Sequence, residues 1–143
     1  MEKVCAESHE RAAGHWIRSW LPVAVYMALI FYLSSLPHPD EDLPNFLFEK
    51  LGDKLLHLIE YAVLAALCYR AFRRAANPSA AEYAIILAIA TASFYRAIDE
   101  VHQAFVPFRT ATWLDWVADT IGAVIGAVVS GRVMDRATKG GIS

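Results

Sequence analysis

The chain reads as an all-α polytopic membrane protein, a bundle of four transmembrane helices with a short outer interfacial segment, and three observations predict that class. Hydrophobic residues make up 57% of the 143 positions and charged residues only 20%, an unusual balance for a water-soluble domain of this length. The apolar residues are gathered into nearly uninterrupted stretches, Trp20 to Leu36, Leu55 to Tyr69, Tyr83 to Tyr95 and Trp116 to Val129, each extendable toward the roughly 20 residues that cross a hydrocarbon core. The basic residues, finally, alternate: Lys3, Arg11 and Arg18 precede the first stretch, Arg70, Arg73 and Arg74 follow the second, and Arg132, Arg136 and Lys139 follow the fourth. These clusters fall on one side of a four-span topology, which the positive-inside rule makes cytoplasmic.

Both termini and the loop 73–80 are therefore expected inside. The acidic loop with Asp40, Glu41, Asp42, Glu49 and Asp53, and the turn 107–112, are expected outside. Residues 1–15 form a polar cytoplasmic segment, 16–135 the membrane domain and 136–143 a cytoplasmic tail. Cys5 and Cys68 both lie on the reducing side, so no disulfide is expected. The net charge of −2 identifies no partner by itself, and no nucleic acid is expected.

The first helix is predicted to open near Trp20 with Pro22 in its first turn and to stop near Leu36, because Pro37 and Pro39 cannot continue it. It carries no ionisable group inside, which assigns it to packing. Phe46, Leu47, Phe48 and Leu51, after an Asn45 cap, fit a short helix lying in the outer interface. The second membrane helix is predicted to begin at Asp53, where Asp53, His57 and Tyr61 at four-residue spacing, with Glu60 beside them, share one face. Asp53 serves equally well as an N-cap.

Asn77-Pro78 breaks the chain, and Ser79 with Glu82 has the spacing of a capping box that starts the third helix. That helix is apolar through Phe94 and then turns polar on one face, since Arg96, Asp99, Glu100 and Gln103 follow i, i+3, i+4 and i+7. His102 lies off this face. Pro107 makes an outer turn with Arg109 at its tip. The fourth helix opens with Thr112 and Asp115 in a capping arrangement, while Asp119 sits a turn too deep to cap. Ala118, Gly122, Gly126 and Ser130 then recur every four residues, the small-residue stripe that lets membrane helices approach closely.

The polar faces converge on one leaflet. Ionisable groups at the ends of membrane helices point to a functional site, with a structural ion-pair network as the competing explanation. Lys54, Arg96 and Arg109, together with the positive N-terminal ends of the second and fourth helices, suit an anionic headgroup. The carboxylates of Asp53, Glu60, Asp99, Glu100, Asp115 and Asp119 outnumber the nearby bases, and their spacing admits a divalent cation without specifying one.

Three segments together resemble the VanZ-like family of small bacterial membrane proteins: Asp53 to Tyr61 (DKLLHLIEY), Asp99 to Arg109 (DEVHQAFVPFR) and Leu114 to Gly122 (LDWVADTIG). The resemblance covers roughly Ser34 to Gly126. It implies a four-helix membrane fold in a bacterial cytoplasmic membrane and, for the founding member, a link to resistance against the antibiotic teicoplanin. Matching positions are Asp53, Lys54, His57, Tyr61, Asp99, Glu100, Gln103, Arg109 and Asp115, whereas Asp119 stands where the family pattern usually has Asn.

The residues support an outer-leaflet site for an anionic lipid or cell-envelope precursor headgroup, with acid-base chemistry as its further reading. His57, Glu60, Asp99, Glu100 and Asp119 are the candidates for moving protons; Asp53, Lys54, Tyr61, Arg96, Gln103, Arg109 and Asp115 are the candidates for binding. A proton-coupled carrier, as a homodimer joined through its small-residue face, and a structural or partner-binding membrane protein are the alternatives.

Overall fold

The computed structural model describes residues 2–35, 45–75, 77–105 and 113–140, and the regular elements among them are all helices: α1 (Glu2–Ser34), α2 (Asn45–Arg73), α3 (Pro78–Glu82), α4 (Ala84–Gln103) and α5 (Trp113–Gly140). Three stretches, Trp16–Ser34, Leu55–Arg73 and Trp116–Thr138, are long and apolar enough to cross a membrane. The remaining apolar stretch, Tyr83 to Tyr95, is housed mostly in α4, whose C-terminal part carries Arg96, Asp99 and Glu100 and so offers a shorter apolar run.

Several boundaries differ from those expected. α1 starts at Glu2, so the polar leader is continuous with the first span and Pro22 lies well inside the helix. A proline there removes one backbone donor, yet the Ala-, Glu- and Arg-rich sequence before it is a good helix former and carries the ladder through. α2 starts at Asn45, with no separate interfacial helix and no start at Asp53. Nothing between Asn45 and Arg73 is a proline, and the lone Gly52 costs only about 1 kcal/mol. The positive end of the α2 dipole is thereby moved about 12 Å from Asp53. On the far side, Asn77 rather than Ser79 is the N-cap of α3: its side chain accepts from the Ser79 N–H at 3.0 Å. Glu82 is the last residue of that helix, and Tyr83 (φ −92°, ψ 16°) separates α3 from α4.

α2 is the central helix, packed against α1, α4 and above all α5. The α2–α5 contact is close because Gly122 and Gly126 present no side chain. A Cβ at Gly122 would fall 2.9 Å from the Leu58 carbonyl carbon, and one at Gly126 would fall 2.6 Å from that of Ala62. The small-residue stripe is thus occupied within the chain, and a homodimer would need another face. α4 approaches in the same way through the fully buried Ala84, Ala88 and Ala92.

α1 is the most peripheral of the long helices, with no packed contact to α5 among the described residues. Trp20 meets Phe72 edge-on at 4.9 Å, Tyr26 donates to the Glu60 carbonyl at 3.3 Å, and Tyr95 donates to the Met27 carbonyl at 2.6 Å. Leu21, Val25 and Leu29 on α1 and Ile121, Ile125 and Val129 on α5 face outward. Contiguous exposed apolar faces of this kind suit lipid rather than water. Cys68 is a buried free thiol, and the side chain of Cys5 lies outside the described residues.

Candidate functional site

On α4 the inward face changes character after Ala92. The alanines bring the helix close to α2 and α5, and in the next turns the same face presents Arg96, Asp99 and Gln103, all buried. Arg96 Nε pairs with Asp119 Oδ2 on α5, and Arg96 Nη1 lies 3.6 Å from Asp99 Oδ2. The same Asp99 oxygen accepts from Ser34 Oγ at 2.9 Å and from Gln103 Nε2 at 2.8 Å, and Gln103 also reaches Ser34 Oγ at 3.4 Å. Arg96, Asp99 and Asp119 are each 1% exposed. Charges so deeply buried are tolerable only when paired and hydrogen-bonded. Side chains of α4 thus hold the last residue of α1 on one side and the N-terminal part of α5 on the other, at one end of the bundle.

α2 adds an acid–base group to that end. His57 Nδ1 stands 3.8 Å from Glu60 Oε2 and 3.9 Å from Asp119 Oδ1. These are ion-pair separations, longer than a hydrogen bond. Exposure differs across the set: Asp119 is sealed, the His57 side chain is 13% exposed and that of Glu60 23%. One turn further along α2, Tyr61 is fully buried. An imidazole between two carboxylates, one of them fixed by an arginine, is positioned to accept or release a proton while its neighbours compensate the charge.

Of the residues singled out in the sequence, His57, Glu60, Tyr61, Arg96, Asp99, Gln103 and Asp119 come together in this cluster. Glu100 is half-buried on the flank of α4 and within electrostatic range of Arg96, but its carboxylate makes no hydrogen bond among the described residues. Asp53 and Lys54 lie on α2 and Asp115 on α5, with side chains outside the described residues, and Arg109 lies outside them altogether.

Sequence reasoning missed Ser34. The first helix was assigned to packing because it holds no ionisable group, yet its last residue donates to the Asp99 carboxylate. A Ser-Ser pair at a helix end beside prolines was the available signal, though such pairs more often cap locally. His102, expected to stand apart, is indeed away from the arginine but is not idle. Its Nε2 lies 3.0 Å from Ser35 Oγ, and its ring stacks on Phe31 at 4.1 Å, tying α4 to α1.

Among the described residues no group of three or more His, Cys, Asp or Glu side chains is arranged to hold a metal ion. Arg96 stands between Asp99 and Asp119 and supplies the positive charge that a bound cation would otherwise bring to those carboxylates.

No curated protein and no solved structure matches the chain. The model of the VanZ/LLP1 family does match, over residues 15–133, a span that takes in every residue of the cluster. On that match the chain belongs to the VanZ/LLP1 family.

Proposed function

We propose that this chain is a four-span protein of the bacterial cytoplasmic membrane whose polar cluster receives an anionic lipid or cell-envelope headgroup from the extracytoplasmic leaflet, and that His57 moves a proton on it. Both termini are cytoplasmic in this arrangement. The fourth span is α4: its C-terminal end meets the end of α1 and the beginning of α5, so it runs alongside them through the bundle. Its 20 residues give a length of about 30 Å, the thickness of a hydrocarbon core.

The observation that carries the reading is the position of His57, 3.8 Å from Glu60 and 3.9 Å from an Asp119 that Arg96 anchors. A network serving stability alone gains nothing from a partly exposed imidazole and carboxylate beside a sealed arginine pair. General acid–base catalysis needs that gradient, with a group that touches the ligand backed by one that holds its orientation. Arg96 is engaged by two aspartates, so the anion falls to Lys54, Arg109 and the N-terminal end of α5. Asp53 on α2 and Asp115 on α5 precede His57 and Asp119 by four residues each, and a divalent cation that such carboxylates would hold, supplying positive charge to a phosphate, belongs to the same proposal.

A headgroup-resolved lipid comparison between cells with and without the protein tests the reading. A changed headgroup class supports it. An unchanged profile together with a solute flux that follows the pH gradient would transfer the His57–Glu60–Asp119 set to a proton-coupled carrier.

A further inference from the structure

The exposed side chains of α2 keep to one flank. Leu56, Ile59 and Val63 are 47%, 50% and 40% exposed, because α1, α4 and α5 cover the rest of the helix and α1 has no packed contact with α5 among the described residues that would close over this side. Leu67, Arg70 and Arg74 continue the flank at helical spacing, i+4, i+7 and i+11 from Val63. The last turn stays closed beyond the end of α2, since the Arg74 N–H donates to the Arg70 carbonyl at 3.2 Å. Two guanidiniums thus stand one turn apart at the end of an apolar, lipid-facing stripe, about 20 Å along the helix from His57.

No described side chain neutralises them. The ion pairs of the bundle lie at the His57 end, and neither Arg70 nor Arg74 makes one among the described residues. Arg70 is half-buried, and its Nε is covered and without a hydrogen bond among the described residues. Glu82 on α3 and Asp135 on α5 are the acids with described side chains at this end, and both are exposed. On α1 the Trp16 and Trp20 rings lie 6.3 Å apart and Trp20 meets Phe72, so the level of Arg70 and Arg74 carries the aromatic residues that membrane helices set beside lipid headgroups. A long arginine there keeps its stem in hydrocarbon and brings its charge to the phosphates, which a guanidinium grips through paired hydrogen bonds.

We propose that Arg70 and Arg74 hold the phosphate of an anionic phospholipid in the leaflet opposite the polar cluster, with an acyl chain lying along Leu67 and Val63. This site is separate from the one proposed above and does not depend on it. A soluble phosphate offers the same anion but makes no use of the apolar flank. Arginines that served only to orient the chain in the membrane would act by their number and side, whichever helix face carried them; a lipid site needs these two on this face.

The test reads lipid retention by the full chain in detergent micelles, using native mass spectrometry with phosphatidylglycerol and phosphatidylcholine of the same acyl chains as probes. The wild type is expected to retain a phosphatidylglycerol that phosphatidylcholine does not replace, and Arg70→Gln/Arg74→Gln to weaken that lipid about thirtyfold, the attraction of two cations at a membrane surface. Arg18→Gln is the control: an exposed arginine at the same end, turned by its spacing to the far side of α1 from Trp20, whose loss should leave retention as in the wild type. A wild type that retains no such lipid, or a double variant that retains it fully, overturns the site. So does an equal loss with Arg18→Gln, which would reduce the arginines to a diffuse positive field. Displacement by glycerophosphoglycerol, the headgroup without chains, overturns the assignment to a lipid, and a second copy of the chain in its place gives the flank to a dimer. Should the double variant not accumulate, Arg70→Lys/Arg74→Lys keeps the charge but loses the planar forks; a several-fold weaker lipid is expected, and undiminished retention overturns the site. A lipid held at the polar cluster is retained by all these variants, so failure of the proton chemistry there leaves this result standing.

Discussion

Gly122→Ala is the smallest change that probes the α2–α5 contact, because it adds one methyl group where two backbones meet. That methyl carbon would lie 2.9 Å from the Leu58 carbonyl carbon and 3.0 Å from Leu58 Cα. Non-bonded carbons settle at about 3.5–4.0 Å, so the helices must separate locally by about 1 Å. Neither obstacle is a side chain that can rotate away. Overpacking of this kind costs about 1–3 kcal/mol, and Gly126→Ala should cost at least as much, since its Cβ would stand 2.6 Å from the Ala62 carbonyl carbon. Two substitutions serve as controls. Gly131→Ala meets the mobile end of Ile85 at 3.3 Å and the Tyr69 ring at ordinary contact distance, 3.6–3.7 Å, and Gly14→Ala meets nothing within 4 Å. Unfolding in mixed detergent micelles, followed by circular dichroism, is expected to rank Gly14→Ala and Gly131→Ala near the wild type and the other two well below. Asp119 is three residues, about 4.5 Å along the axis, from Gly122, so the same displacement should lengthen the His57–Asp119 approach. A Gly122→Ala variant as stable as Gly14→Ala would refute close packing of α2 on α5 and, with it, the geometry of the site.

Other outcomes follow from the cluster. Arg96→Met leaves Asp99 and Asp119 buried without their shared cation and should cost about 3–5 kcal/mol; adding Asp119→Asn should recover part of that loss. If Arg96→Met costs under about 1 kcal/mol, the cluster behaves as an exposed ion pair. Ser34→Ala removes a donor to a carboxylate and should cost about 1.5–3 kcal/mol. In the same unfolding assay a neutral Ser34→Ala would mean that α1 is not tied to Asp99.

The cluster was largely legible from spacing, because i, i+3 and i+7 on α4 and i, i+4 on α2 each fix a face whatever the rest of the fold does. Arg96, Asp99 and Gln103 turned inward together for that reason, as did His57 and Tyr61. The stripe with Gly122 and Gly126 was legible as a packing face, but spacing cannot name the partner, which is α2 of the same chain. Helix boundaries were less legible. Pro22 and Gly52 look like punctuation in a short window, whereas a long helix with good formers on both sides absorbs either. Asn77 displaced Ser79 as the cap because the residue before a proline is held extended, the conformation from which a side chain reaches the following N–H. Ser34 could not be found by counting charges. A serine becomes part of an ionic site only through what another helix brings to it, and that is a property of packing.

The central claim is that this end of the bundle does acid–base work on a headgroup, with His57 as the proton-moving group. Its most direct test is the headgroup-resolved lipid profile of cells carrying the wild type, His57→Gln or no protein, with membrane levels of the two proteins matched. Gln preserves size and hydrogen bonding but cannot take up a proton at this position. The account predicts a lipid change with the wild type that is absent from both other strains; the same change with His57→Gln as with the wild type would contradict it.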